Sequence, residues 1–195
     1  MRILRSHDYR RMRWKNGGGE TTEIIVSPDG AGLDTFNWRV SMAHVASDGP
    51  FSLFPDIDRT LVVLSGNGIR LRVDGIGDVN LTTAAEPFPF PADVAAGADL
   101  IDGPIHDLNV MSRRGVVRHT LSRIAVSGPC AIAAAAESTL LLVQGGGARV
   151  EAGAIQDILS DGDSILLPAG HEDIVMTPVT TLTLYKAAFQ RVQNR

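Results

Sequence analysis

Cysteine is almost absent. Cys130 stands alone in 195 residues, which leaves no intramolecular disulfide and no cysteine-rich zinc site. Long hydrophobic runs are missing too. None approaches the ~18–20 residues of a membrane helix, so no membrane partner is expected. The N-terminus (Met1, Arg2, Ile3, Leu4, Arg5) carries charge but no apolar stretch and does not read as a secretory signal. Basic residues are the minority, 18 against 22 acidic ones, so no nucleic-acid partner is expected. Hydrophobic content, at 44%, is ordinary, which excludes wholesale disorder. The expectation is a soluble cytoplasmic protein of one domain or two small ones, at ~150 residues per domain.

Helical periodicity is scarce. Only Ala131–Glu137 is alanine-rich enough for a helix, and its short length between Gly128–Pro129 and Ser138–Thr139 fits a strand equally well. Elsewhere short apolar runs alternate with Gly, Pro, Asp and Asn clusters. Examples are Thr22–Ser27, Trp38–Val45, Thr60–Leu64, Ile69–Val73, Arg118–Val126, Thr139–Val143, Ser164–Leu167 and Thr180–Tyr185. Such runs are strands of a sandwich or barrel, so the fold class is all-β.

The two halves resemble each other. Leu61-Val-Val-Leu-Ser-Gly66-Asn-Gly68-Ile-Arg70 aligns with Leu140-Leu-Leu-Val-Gln-Gly145-Gly-Gly147-Ala-Arg149, at an offset of 140 − 61 = 79. Ala85-Glu86-Pro-Phe-Pro-Phe-Pro91-Ala92 aligns with Gly162-Asp163-Ser-Ile-Leu-Leu-Pro168-Ala169, at 162 − 85 = 77. Two matched blocks in one order imply a duplicated β module. Gly162-Asp163-Ser-Ile-Leu-Leu-Pro168-Ala-Gly170 resembles the second cupin motif, Gly-x5-Pro-x-Gly. With the duplication, this resemblance implies two cupin-type β-barrels in one chain, a bicupin. The expected division is 1–115, carrying the polar motifs, and 116–195, with strands exchanged between the halves.

Many cupins hold a metal through His-x-His, a glutamate and a later histidine. The glutamate slot lies seven residues before the hairpin glycine. Counting back from Gly66 reaches Arg59, and the His-x-His slot falls in Ser52-Leu-Phe54-Pro55. Where the cupin pattern has its later histidine, this chain has Asp173. In the second copy the count from Gly145 reaches Ser138. No metal and no cofactor is therefore expected. A guanidinium in a carboxylate slot repels divalent ions and attracts an anion.

Polar chemistry concentrates in the first half. One cluster is Trp14-Lys-Asn16-Gly17-Gly18-Gly19-Glu20-Thr21-Thr22-Glu23, whose glycines permit close backbone approach. A second is Trp38-Arg39-Val-Ser41-Met-Ala43, with Arg39 and Ser41 on one strand face. A third is Asp48-Gly-Pro-Phe51-Ser52-Leu-Phe54-Pro-Asp56-Ile-Asp58-Arg59-Thr60. Asp58 and Arg59 alternate, so at most one points inward and Asp58 is free to pair with an arginine at the rim. The fourth places Asp107, Asn109 and Met111 on one face.

Together these motifs look like the HutD/Ves family, from the N-terminus to about Arg114. One departure is Asp56, where the family pattern favours glycine. The resemblance implies a bicupin and a link to histidine utilisation, in which members bind an intermediate such as formylglutamate or urocanate and limit flux. The first expectation is a metal-free protein for a small anionic metabolite. A carboxylate meets Arg59 or Arg39; Asn16, Thr22, Ser41, Ser52, Asp58, Asp107 and Asn109 supply polar contacts; Trp14, Phe51 and Phe54 supply apolar walls. The alternatives are an isomerase or hydrolase with Asp58, Asp107 or Glu23 as base, and a protein-interaction regulator with a vestigial pocket. Edge strands make a homodimer a candidate assembly.

Overall fold

The structure, a computed structural model, describes residues 1–134 and 136–193. Its strands are β1 (Arg2–Leu4), β2 (Arg10–Arg13), β3 (Gly19–Ser27), β4 (Trp38–Val45), β5 (Gly49–Pro50), β6 (Ile57–Ser65), β7 (Ile69–Val73), β8 (Gly77–Leu81), β9 (Phe88–Pro91) and β10 (Ala96–Leu100). The chain continues through β11 (Ile105–Arg113), β12 (Val117–Val126), β13 (Cys130–Ile132), β14 (Ser138–Gln144), β15 (Ala148–Ala152), β16 (Ile155–Leu159), β17 (Ser164–Pro168), β18 (Ile174–Pro178) and β19 (Leu182–Arg191). Among the described residues there is no α-helix, only the short 3₁₀ turn Ser6–Asp8. The alanine-rich segment is strand only as far as Ile132, and Ala135 lies outside the described residues.

Two compact units form. One is Arg10–Arg118; the other joins Met1–Tyr9 to His119–Arg195. In the first, a six-stranded sheet (β2-β3-β4-β11-β6-β9) and a four-stranded sheet (β5-β10-β7-β8) share one core. Ala43, Val45, Leu61, Val63, Phe90 and Ile105 come from one sheet; Ile69, Leu71, Val73, Leu81 and Ala98 come from the other. In the second unit the sheets are β1-β17-β14-β19-β12 and β13-β18-β15-β16. The order β4-β11-β6-β9 recurs as β12-β19-β14-β17, and β5-β10-β7-β8 recurs as β13-β18-β15-β16. The repeat legible in the sequence is thus a repeat of sheet topology.

Local chemistry explains the elements. Along β7, Ile69, Leu71 and Val73 are buried while Arg70 and Arg72 are exposed, the period of two that one covered face demands. Along β14, Leu140, Leu141, Leu142 and Val143 are all buried, so that strand reads as an unbroken apolar run. At the first hairpin, Gly68 has φ +105°, and a Cβ there would overlap the Leu81 carbonyl; only glycine fits.

The Gly162-Asp163 pair does more than turn the chain. The Asp163 carboxylate accepts the Ser6 backbone N–H at 2.9 Å, Arg5 Nη1 at 3.0 Å and the Ser160 N–H at 3.1 Å. Burial pushes its pKa up, but these bonds outweigh it and hold the carboxyl below its ordinary value. Tyr9 Oη adds a 2.8 Å bond with Ser164 Oγ. The motif therefore anchors the first strand against β17.

Asp56 has φ +59°. This is the left-handed region, which costs a non-glycine residue ~1–2 kcal/mol, less for Asp than for most. The substitution Asp56→Gly is expected to keep the fold and raise stability slightly, by less than ~1 kcal/mol. The urea midpoint followed by tryptophan fluorescence checks this, and a fall in the midpoint refutes it. Both tryptophans, Trp14 and Trp38, lie in the unit that holds Asp56.

Candidate functional site

Strand register assembles the polar residues. In the six-stranded sheet, Asn109 on β11 lies opposite Ser41 on β4 and Leu61 on β6, and Met111 lies opposite Arg39 and Arg59. Asp107 lies opposite Ala43 and Val63. Ser41 in turn faces Glu23 on β3, and Ala43 faces Thr21. Directly opposed residues share a face, and Ala43, Leu61 and Val63 belong to the core. Thr21, Glu23, Arg39, Ser41, Arg59, Asp107 and Asn109 therefore share the inward face of the first barrel.

Each charge has a defined environment. Arg39 is buried, 5% exposed. Its Nε donates to Glu23 Oε2 at 2.6 Å and its Nη1 lies 3.4 Å from Ser41 Oγ. Arg39 is thus already neutralised. Arg59, 2% exposed, is not. Its Nη2 donates to the Ser52 carbonyl at 3.2 Å. Its guanidinium carbon sits 5.1, 5.4 and 5.6 Å from the ring centres of Phe51, Phe54 and Phe90. A cation over aromatic faces is favoured most when it is out of water. Burial pulls the Arg59 pKa down to about 10; Asp107 opposes the shift and Arg39 adds to it. At neutral pH Arg59 remains a cation.

Asp107 is the complementary group. Its Oδ1 accepts from Asn109 Nδ2 at 2.6 Å. Burial pushes the carboxyl up to about 7, against the pull of Arg59, a backbone bond from Ala43 and the Asn109 amide. Arg59 Nε and Asp107 Oδ2 are both buried, and neither finds a partner among the described residues. Such orphaned groups are costly unless something satisfies them.

A pH dependence follows. The ordinary carboxyl value is 3.8, and in the fold it becomes about 7. Between these values the folded state holds a proton that the unfolded chain has lost. Stability from this group is full below about pH 4 and drains as pH rises toward 7, by ~1.4 kcal/mol per pH unit. The substitution Asp107→Asn is expected to remove that slope. Urea midpoints from pH 4 to 8 check this; parallel profiles for the two proteins would refute it.

Other residues singled out by the sequence take different places. Thr22 lies opposite Met42, on the other face of β3 and β4, and Thr21 takes its place inside. Asn16 is exposed; its Oδ1 accepts the Gly18 N–H at 3.0 Å and so closes the glycine turn. Asp58 points outward and accepts from Arg114 at 2.8 Å, the rim pairing that its alternation with Arg59 allows. Ser52 contributes its carbonyl while its residue is exposed. Trp14 packs on the core and spends its Nε1–H on Thr21 Oγ1, 2.8 Å away. Gly19 is required there, because a Cβ would overlap the His44 carbonyl and press on the Trp14 ring.

Phe90 and the Glu23–Arg39 pair escaped sequence reasoning. Phe90 was available from the repeat, which aligns it with the inward Leu167. Among the described residues, no group of three or more His, Cys, Asp or Glu side chains converges. Of the five histidines, His44 and His106 do meet, facing each other across β4 and β11 with ring centres 4.9 Å apart.

Two double-sheet barrels of matching topology, each closed around its own core, define a bicupin. The same fold occurs at 11% identity in a cupin 2 conserved barrel domain protein from Leptotrichia buccalis, with TM-score 0.60 over 92% of this chain and 95% of that one. The HutD family model matches residues 6–183, and the chain belongs to that family. HutD from Pseudomonas fluorescens SBW25 superposes with TM-score 0.81 at 31% identity, over 98% of this chain and 99% of that one. An uncharacterized 21.2 kDa protein in the hutC 3' region of Pseudomonas putida is 41% identical over 57% of each chain. Protein Ves of Citrobacter koseri is 38% identical over 55% of this chain and 56% of its own. The chain thus spans a little over half the length of the curated relatives it matches. No helix among the described residues is long and apolar enough to cross a membrane.

Proposed function

We propose that the first barrel binds a small carboxylate metabolite at Arg59, and that a histidine-utilisation intermediate is its ligand. The observation that carries this reading is the Arg59–Asp107 pair. Two buried atoms, the Arg59 Nε donor and the Asp107 Oδ2 oxygen, lie in one cluster without partners among the described residues. A ligand carboxylate satisfies Arg59 Nε and, while Asp107 is protonated, accepts from that carboxyl as well. The three phenyl rings around Arg59 favour a flat unsaturated acid over a flexible one. Urocanate combines a carboxylate, a conjugated plane and a ring N–H, so it fits better than formylglutamate. The family membership and the hutC-region relative support the same pathway.

Titration calorimetry with urocanate, formylglutamate and a neutral amide analogue tests the reading. Binding of either acid, urocanate tighter, is expected, and no heat with either acid overturns it. Formylglutamate has no group that titrates between pH 6 and 8, so its pH series reports the protein. Its affinity is expected to fall over that range as Asp107 ionises and competes for Arg59. In Asp107→Asn the fall is expected to vanish.

One observation favours a second reading. A carboxyl raised to about 7 beside a buried cation is suited to general acid–base work. Turnover of urocanate that rises with a pKa near 7 and disappears in Asp107→Asn would establish an isomerase or hydrolase instead of a binding protein.

A further inference from the structure

The second unit holds a cavity separate from the Arg59 site. It measures about 320 Å³ and is lined by Thr120, Ser122, Ala136, Thr139, Lys186 and Ala188. We propose that it is a second anion site, built for a small aliphatic monocarboxylate, with the Lys186 ammonium as its cation and the Thr139 hydroxyl as its buried polar contact.

Strand registers place this cavity at the station that Arg59 holds in the first unit. Arg59 lies opposite Met111 on β11 and Phe90 on β9. Thr139 lies opposite Ala188 on β19 and Leu167 on β17. Phe90 and Leu167 are matched by the repeat, at 167 − 90 = 77. Two residues further along, Asn109 faces Leu61 and Lys186 faces Leu141. On the flank, β4 with Arg39 and Ser41 borders β11, and β12 with Thr120 and Ser122 borders β19. Counting from the hairpin glycine selects Ser138 instead. Seven residues separate Arg59 from Gly66, but only six separate Thr139 from Gly145, so the true counterpart is one residue later.

The exchange of side chains opens the cavity. A guanidinium, a methionine and a phenyl ring stand at the first station; a shorter threonine, alanine and leucine stand at the second. The cavity, about 320 Å³, is within the ~300–1,000 Å³ range of small-molecule sites, at its small end. Polar character persists in reduced form. Thr139 is fully buried, yet its Oγ1 has no partner among the described residues. Lys186 Nζ donates to the Ala133 carbonyl at 2.7 Å; an ammonium has three N–H donors, so two remain. Thr120 and Ser122 bring hydroxyls at the open rim, and Ala136 and Ala188 bring methyl groups. No acidic side chain is among the lining residues, so the lining carries net positive charge. A short carboxylate with a small apolar tail matches this set; a divalent cation does not.

Methyl NMR of the full chain, labelled at Ala and Thr and titrated with sodium L-lactate at constant ionic strength, tests the proposal. Saturable shifts at the Ala136, Ala188 and Thr139 methyls are expected, and lactamide, which lacks the charge, is expected to give none. Lys186→Gln is expected to weaken lactate at least tenfold, as read from the Ala136 and Ala188 methyls. Thr139→Val, which keeps shape and removes only the hydroxyl, is expected to weaken it several-fold. Arg59→Leu is expected to leave these shifts intact, so the second site stands or falls separately from the first. Absence of saturable shifts overturns the proposal. So does equal binding of lactamide, or unchanged lactate binding in both Lys186→Gln and Thr139→Val.

Discussion

Calorimetry of Arg59→Leu with urocanate is expected to show at least a ~100-fold loss of affinity. Truncating one partner of a buried, charge-assisted contact costs roughly 2–5 kcal/mol, and ~2.7 kcal/mol corresponds to that factor. The loss is not expected to come from unfolding. Leucine suits a space walled by Phe51, Phe54 and Phe90, and replacing a buried ion by an apolar group is often neutral or stabilising. What suffers is Asp107, which loses the Arg59 cation that holds its pKa down; its carboxyl then stays protonated to higher pH. Below pH 7 the variant should therefore be at least as stable as the parent. Arg59→Lys separates charge from shape. It keeps the cation but loses the planar fork that meets both carboxylate oxygens, and an intermediate loss of about tenfold is expected. Unchanged urocanate affinity in Arg59→Leu would move the ligand away from this residue altogether.

Glu23→Ala should be the most damaging polar substitution in the first barrel. Arg39 is buried, and its Nε has Glu23 at 2.6 Å as its anionic partner. Removing one member of a buried pair strands the other charge at a cost of ~3–5 kcal/mol. Glu23→Gln keeps an acceptor oxygen but not the charge, so about half that loss is expected. Glu23→Leu combined with Arg39→Met removes both charges and should recover most of the stability, since the desolvation cost then disappears with the pair. The urea transition seen by tryptophan fluorescence measures all three. A loss below ~1 kcal/mol in Glu23→Ala would mean that water reaches Arg39 and that the pair behaves like a surface one. The distinction matters for the site, because only a tightly neutralised Arg39 leaves Arg59 as the cation open to a ligand.

Much of this molecule is local in origin and therefore legible along the chain. Alternation of apolar and polar residues marks strands such as Ile69–Val73, and Gly68 marks a hairpin because no other residue tolerates its backbone and its neighbours. The repeat announced two modules, and alternation alone grouped Arg39 with Ser41 and Asp107 with Asn109. Parity does not say which face is covered, nor who stands across the gap. Thr21 rather than Thr22 turns inward because of how β3 pairs with β4. Asp58 and Arg59 alternate, but their opposite fates depend on Arg114 and Phe90, far away in sequence. Thr139 replaces Ser138 at the second station because one residue is missing between it and the hairpin. Side-chain direction along a strand follows from covalent geometry, whereas register is fixed only when distant strands lock their hydrogen bonds around a shared core.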